Sequence, residues 1–189
     1  KAADAGWQAV IKAYALHCKV TVEQAALMLA VSRRDGLEWR QEMNLTIRNA
    51  RQDDSQRCME LLQSLASFTG GSTDPLAPQI FDQLLDNTRG EIFVAEGGGR
   101  ILGMASVSYN LAMRNGGEYC QLEELIVDPA GRGQNIGGRL VEKTVEQAKL
   151  RGCAEYGLYL VESTEQNLPF YEKYGFEKVG SELRQSLRS

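Results

Sequence analysis

The sequence predicts a mixed α/β (α+β) domain, in which a mostly antiparallel sheet of six to seven strands carries helices on both faces. Two observations support this fold class. From residue 43 onward, strand-like and helix-like segments follow one another in the order β-α-α-β-β-β-α-β-α-β. Glycine-rich turns over 97–100 and 115–117 join neighbouring strands as hairpins. Hairpins combined with helical crossovers indicate one mixed sheet.

Each element of this domain has its own signal. The first helix has Asp53 or Asp54 as its N-cap and presents Met59, Leu62 and Leu65 on one face. Gly152 marks the end of the long helix that follows the fourth strand. The predicted strands cover 45–51, 91–96, 101–113, 118–128, 154–162 and 176–183, with room for a seventh, and the predicted helices cover 53–68, 79–87, a segment ending at about 151, and 166–174.

Residues 1–42 read as a separate helical extension, which leaves 43–189 as the main domain. Thr21 and Gln24 form a capping-box pattern at the start of a second helix. The segment 21–34 resembles the first helix and turn of excisionase-type helix-turn-helix modules. Asp35 and Gly36 interrupt it where a recognition helix would begin. A packing or dimerising extension is therefore favoured over a DNA-binding one.

The amino-acid composition argues against several classes of function. The net charge of −4 argues against a nucleic-acid partner and favours a cationic or neutral small substrate. His17 is the only histidine, so a histidine-based metal site or catalytic triad is not expected. The cysteines form no CxxC pair, no apolar run is long enough for a membrane span, and no secretory signal is visible. We expect a cytoplasmic protein without a metal.

A glycine run over 131–138 follows an apolar strand and Asp128-Pro129. It lacks the lysine and hydroxyl residue of a P-loop, and Ile136 stands where a dinucleotide fingerprint needs its third glycine. A loop free of bulky side chains that leads into a helix N-terminus still suits a pyrophosphate, because backbone N–H groups converge there. Arg132 and Arg139 flank the run and would neutralise phosphate charge.

The motifs around this run resemble those of the GCN5-related N-acetyltransferase (GNAT) superfamily. The loop pattern [RQ]-x-x-G-x-[GA] corresponds to 132–137, "LEELIVDP" resembles the family's fourth strand, and "FYEKYGFEKVG" resembles its closing helix and sixth strand. The resemblance covers roughly 44–185. Asn135 replaces a loop glycine, and we expect it to adopt the left-handed conformation that glycine usually supplies. The same "RGxNxG" form resembles the aminoalkylphosphonate N-acetyltransferases.

The resemblance implies acetyl transfer from acetyl-CoA to a primary amine in a ternary complex. The spacing E-x-L-x-V of the resemblance favours Glu123 as the general base and leaves Glu124 as the second choice, since the two point to opposite faces of a regular strand and only one can face the cleft. A chain of water molecules that carries the proton to solvent, with neither residue as the base, is the third possibility. Tyr171 is implied as the acid that protonates the thiolate, and Ile126 N–H as the donor to the thioester oxygen. Acetyl-CoA is expected to contact Leu125, Ile126, Val127, Arg132, Gly133, Gln134, Asn135, Ile136, Gly137, Gly138, Arg139 and Asn167.

Three further expectations concern partners. The acceptor amine is expected to bind near Phe68, Tyr109, Tyr119 and Glu123. A homodimer through the sixth strand or the N-terminal helices is compatible with the sequence. The alternative function is an acetyl-CoA-binding sensor whose N-terminal helices bind DNA or a protein partner.

Overall fold

The computed structural model describes residues 45–86 and 89–187 and forms one sheet of five strands in that part of the chain. The extension predicted over 1–42 lies outside the described residues. The strands are β1 (Thr46–Asn49), β2 (Gly90–Gly97), β3 (Arg100–Ala112), β4 (Gly117–Val127) and β5 (Tyr156–Leu158). They lie side by side in chain order. The first four are antiparallel to their neighbours, whereas β5 is parallel to β4.

Within the described ranges, four α-helices connect or flank these strands: α1 (Ser55–Thr69), α2 (Ala77–Leu84), α3 (Ile136–Arg151) and α4 (Leu168–Glu172). Gly70 and Gly152 end α1 and α3 in the left-handed conformation, with φ of 78° and 81°. The predicted stop at Gly152 is therefore confirmed. None of the helices in the described ranges is long and apolar enough to cross a membrane.

The helices pack on both faces of the sheet, as predicted. On one face, α1 and α2 bury their side chains against residues of β2, β3 and β4. This cluster comprises Cys58, Leu61, Phe81, Ile92, Val94, Ile101, Met104 and Ile126. On the other face, α3 lies close to Gly103, where a Cβ would stand 3.1 Å from Ile136 Cγ2 and 3.3 Å from Leu140 Cδ1. We call these the α1/α2 face and the α3 face.

The predicted strand over 176–183 is wrong, and so is the count of six to seven strands for the described residues. Residues 177–187 contain no helix or strand, and Val179 and Leu183 are almost fully exposed. The apolar residues of this segment, Phe176, Val179 and Leu183, are three and four residues apart rather than two, so no single face of a strand could bury them. Of these three apolar residues, Phe176 is the one whose ring packs on described aromatic rings, those of Tyr156 and Tyr171.

Candidate active site

The glycine run begins with a tight turn that Asp128 caps. Its Oδ1 accepts a hydrogen bond from Ala130 N–H at 2.7 Å, and its carbonyl accepts one from Gly131 N–H at 2.8 Å. Gly131 is buried, and a Cβ there would stand 2.7 Å from Ile136 Cδ1. A larger residue would therefore push the turn away from the sheet.

Asn135 has the conformation that its position in the sequence predicts. Its φ is 55° and its ψ is 28°, and it is the only non-glycine residue with positive φ in the described ranges. Its carbonyl accepts a hydrogen bond from Arg139 N–H at 3.1 Å, so α3 begins directly after it. The first N–H groups of α3 have no partner within the helix and point toward the loop. The loop therefore has the backbone of an anion site.

The side chains of the loop contribute unequally. Arg132 is exposed, whereas the Arg139 guanidinium donates to the Leu45 carbonyl at 2.7 Å, before β1. Gln134 donates to the Ala130 carbonyl at 3.4 Å. Ile136 is 1% exposed and belongs to the core, so only its backbone can contact a ligand.

Replacing Asn135 tests whether acetyl-CoA binding needs the left-handed backbone conformation of this residue or its amide side chain. Asn135→Gly is expected to keep acetyl-CoA affinity, because glycine adopts positive φ freely. Asn135→Val is expected to weaken binding by about 1–2 kcal/mol, because a β-branched residue is strained there. Titration calorimetry with acetyl-CoA measures both. Equal affinities of the two variants would contradict this explanation.

A gap separates the C-terminal half of β4 from β5. The two strands pair only at Cys120–Leu122, opposite Tyr156–Leu158, so residues 123–127 have no strand on that side. Asp128 N–H donates to the Leu102 carbonyl of β3 at 2.8 Å. Because N–H directions alternate along a strand, Ile126 also points toward β3. Leu125 and Val127 present their backbone groups to the gap, and Ile126 is not placed for the role of oxyanion donor.

A β-bulge in β4 positions the two candidate bases. Glu124 lies opposite Ser106, and the register shifts between Ser106 and Val107, which leaves Glu123 unpaired. Ser106 donates to Glu124, and Ser108 donates to Glu123 Oε1 at 2.5 Å. These serines are two residues apart on β3, so both carboxylates lie on the α1/α2 face. The expectation of opposite faces is wrong, because the extra residue interrupts the alternation.

The two carboxylates differ in environment. Glu123 is exposed, whereas Glu124 is partly buried. Burial, and to a smaller extent the neighbouring charge of Glu123, together raise the pKa of Glu124 to about 7. A carboxyl group with such a pKa can accept a proton near neutral pH.

Helix α4 lies beside the gap and carries Tyr171. The Phe170 ring reaches the N-terminus of α3, since a Cβ on Gly137 would stand 3.6 Å from both Phe170 Cζ and Val127 Cγ2. Tyr171 is 9% exposed and packs edge-on against Phe170, and burial raises its pKa. Its phenol therefore stays protonated at neutral pH. Asn167, just before α4, is exposed.

The residues expected around the acceptor do not all lie on one face. Tyr119 is opposite Asn110 and shares the α1/α2 face with Ser108, and Phe68 is exposed near the end of α1. Tyr109 lies on the α3 face, where its hydroxyl donates to Glu91 at 2.7 Å. Tyr109 therefore does not lie with the other residues that were expected to bind the acceptor amine.

Two parts of this site were not predicted from the sequence. Ser106 and Ser108 hold the carboxylates, and their spacing of two in "ASVSYN" is the signal that could have shown them on one strand face. The hydroxyl of Tyr174 lies beside the loop, since it and Asn135 Oδ1 are both within 2.4 Å of where a Gly138 Cβ would be. Contacts between such distant segments have no local signal.

A cavity of about 400 Å³ lies between the N-terminus of α1 and the turn joining β2 to β3. It is lined by Arg48, Asp53, Asp54, Arg57, Glu60, Glu96, Gly99, Arg100 and Ile101. Arg48 is paired there with Asp54 at 2.6 Å and with Glu96 at 2.7 Å. The arrangement is an ion-pair network that joins β1 to β2 and α1, away from the carboxylates of the bulge.

A comparison with known protein families identifies the class of protein to which this site belongs. The model of the acetyltransferase (GNAT) family matches residues 55–176. The chain belongs to this family. The resemblance seen in the sequence is thereby confirmed, and the chain is a member of a family of acetyl-CoA-dependent N-acetyltransferases.

Similar proteins include two named enzymes. The glucosamine 6-phosphate N-acetyltransferase of Trypanosoma brucei brucei is 33% identical over 51% of this chain and 65% of that enzyme. The N-alpha-acetyltransferase RimI of Mycobacterium tuberculosis is 34% identical over 69% of this chain and 77% of RimI. A solved structure described as a transcriptional regulator from Bacillus halodurans C-125 has a TM-score of 0.68 and 27% identity, covering 76% of this chain and all of that one (100%).

Proposed function

We propose that this chain transfers the acetyl group of acetyl-CoA to a primary amine of a small molecule or peptide, by direct attack in a ternary complex. The observation that carries the proposal is the placement of the carboxylate pair. Glu124 lies on β4 immediately before Leu125, the first residue whose backbone faces the gap, and the same strand leads into the glycine run. A base, backbone donors and an anion site therefore adjoin along one strand.

The glycine run suits the pyrophosphate of acetyl-CoA. Gly133 and Asn135 both have positive φ, and α3 begins directly after them, so the N–H groups of its first turn have no partner within the helix. Arg132 is exposed at the loop and would pair with the phosphates, whereas the Arg139 guanidinium already donates to the Leu45 carbonyl. Leu125 and Val127 would hold the pantetheine arm through the backbone groups that face the gap. Acetyl-CoA supplies the acetyl group as an activated thioester.

Glu124 is the base that the geometry favours, in place of Glu123. An amine is protonated in neutral solution and must lose a proton before its lone pair attacks the carbonyl carbon. Glu124, with a pKa of about 7, accepts that proton near neutral pH. Exposed Glu123 carries a negative charge next to it and would attract the cationic amine.

Two further groups complete the transfer. Leu125 N–H would donate to the thioester oxygen as charge develops on it, in place of Ile126. As the carbon–sulfur bond breaks, the departing thiolate takes the phenol proton of Tyr171, and Glu124 keeps the proton removed from the amine. Solvent then restores both residues to their starting states.

The experiment that tests this function measures thiol release from acetyl-CoA in the presence of amines. The panel contains glucosamine 6-phosphate, peptides with a free N-terminus, polyamines, aminoglycosides and aminophosphonates. The first two are chosen because two similar proteins are named for glucosamine 6-phosphate and for N-alpha acetylation. Amine-dependent thiol release with a matching acetylated product supports the proposal. Acetyl-CoA binding without turnover of any amine would remove it.

Replacing Tyr171 by phenylalanine is expected to lower kcat by about tenfold, because the departing thiolate then takes its proton from water. The ring packing against Phe170 and Phe176 is kept, so the melting temperature should stay within a few degrees. Steady-state kinetics at saturating acetyl-CoA provide the measurement. An unchanged kcat would exclude Tyr171 as the acid.

The second candidate function is an acetyl-CoA sensor, favoured by the likeness to a structure described as a transcriptional regulator. It requires tight acetyl-CoA binding, no turnover of amines, and no effect of Glu124→Gln or Tyr171→Phe on the measured response. The carboxylate pair beside the gap favours the enzyme, because a sensor has no need of a base there.

A further inference from the structure

We infer that Arg57, in helix α1, is a positioning residue for the acetyl-CoA loop and acts through Asp128. The inference rests on the proposed use of the glycine run. Arg57 was not singled out by the sequence, because nothing near it in the chain belongs to the site. The structure brings it to the point where β4 ends and the loop begins.

The contacts of Arg57 join three segments. Nη2 pairs with Asp128 Oδ2, and Nε donates to the Ile101 carbonyl of β3 at 3.3 Å. Nη1 pairs with Glu60 one turn along α1 at 2.7 Å. The bond to the Ile101 carbonyl anchors the guanidinium on β3, with one edge toward Asp128. A guanidinium suits this role because its donors lie in one rigid plane.

Asp128 connects the Arg57 guanidinium to the backbone of the loop. Its other oxygen, Oδ1, accepts from Ala130 N–H at 2.7 Å, and its carbonyl accepts from Gly131 N–H at 2.8 Å. The Ala130 hydrogen bond lowers the pKa of Asp128, and the Arg57 guanidinium lowers it further, so the carboxylate is ionised at neutral pH. One carboxylate therefore ties α1 to the first turn of the loop.

Solvent reaches this pair only in part. The exposed fractions of the two side chains are 32% for Arg57 and 19% for Asp128, against 51% for Glu60. A partly desolvated, charge-assisted contact contributes more than an exposed one. The contact with Glu60 therefore provides a matched control, since its loss leaves the bond to Asp128 in place.

The test is titration calorimetry with acetyl-CoA on the full chain and five variants. Arg57→Gln and Asp128→Asn each remove the ion pair, and Asn keeps an oxygen for Ala130 N–H. We expect both to raise the acetyl-CoA Kd by about 3- to 10-fold, and the double variant to show no further loss. Glu60→Gln should change Kd by less than about twofold. Arg57→Lys should recover part of the affinity, because it keeps the charge.

Kinetics separate positioning from a general loss of structure. If Arg57 positions the loop, KM for acetyl-CoA rises while kcat at saturation and KM for the amine stay constant. Equal affinities of the wild type and Arg57→Gln would overturn the inference, as would effects that multiply in the double variant. So would a fall in kcat that follows the melting temperature with KM unchanged. If the wild type itself does not bind acetyl-CoA, the proposed function fails instead.

Discussion

Glu124→Gln is expected to lower kcat by about 10²- to 10⁴-fold, the range typical of a general base. Glutamine keeps the size of the side chain and can still accept the hydrogen bond from Ser106, so the strand and its bulge should survive. What it loses is the ability to take a proton from the amine. Stopped assays of acetylated product at saturating concentrations of both substrates measure the effect, and unchanged acetyl-CoA affinity is the control.

The pH profile of kcat/KM sharpens this prediction. Glu124 acts when ionised, so activity should rise as pH passes through about 7 and level off above it. Glu123→Gln removes a neighbouring negative charge, so it should move this rise to lower pH while leaving a measurable rate. In the Glu124→Gln variant, the rise of kcat/KM near pH 7 should be absent. A larger loss of kcat from Glu123→Gln than from Glu124→Gln would reverse the assignment.

Gly138→Ala is expected to raise the acetyl-CoA Kd by roughly 30- to 100-fold. A Cβ at this position would lie 2.1 Å from Tyr174 Oη and 2.4 Å from Asn135 Oδ1, so both side chains would have to move. Overpacking of this kind costs about 2–3 kcal/mol. Asn135 is one of the residues that would have to move, and its left-handed conformation shapes the loop. The substitution should therefore lower the affinity for acetyl-CoA.

The neighbouring glycine supplies the comparison. A Cβ on Gly137 would meet Phe170 and Val127 at 3.6 Å, which is ordinary van der Waals contact. Gly137→Ala is therefore expected to weaken binding much less than Gly138→Ala, and titration calorimetry on both variants tests the difference. If both variants lost the same affinity for acetyl-CoA, contacts of a new Cβ at Gly138 with Tyr174 and Asn135 would not be the cause.

Local signals in the sequence were sufficient for much of the fold and for the loop. Helices α1 and α3, the two hairpins and the stop at Gly152 all follow from residues close together in the chain, although Asp54 makes no side-chain capping bond to α1. The left-handed Asn135 could be predicted for the same reason, because a loop of this pattern needs that conformation at a known position.

Other features depend on pairing between distant segments. The bulge at Glu123 is a mismatch in length between β3 and β4, and neither strand shows it alone. That one residue decides which carboxylate is buried and which backbone groups face the gap. The absent sixth strand has a similar origin, because Phe176 and Val179 satisfied a family motif without the alternation that a strand requires.

The bulge also divides β4 into two halves that can change independently over evolution. Before it, Tyr119 and Gln121 lie on the α1/α2 face, on polar surface beside Ser108 and Asn110. After it, Ile126 on the same face belongs to the core. In the proposed function, substitutions in the first half would change the surface offered to the amine while the half that faces acetyl-CoA keeps its geometry. The two substrates would then be recognised by separate parts of one strand.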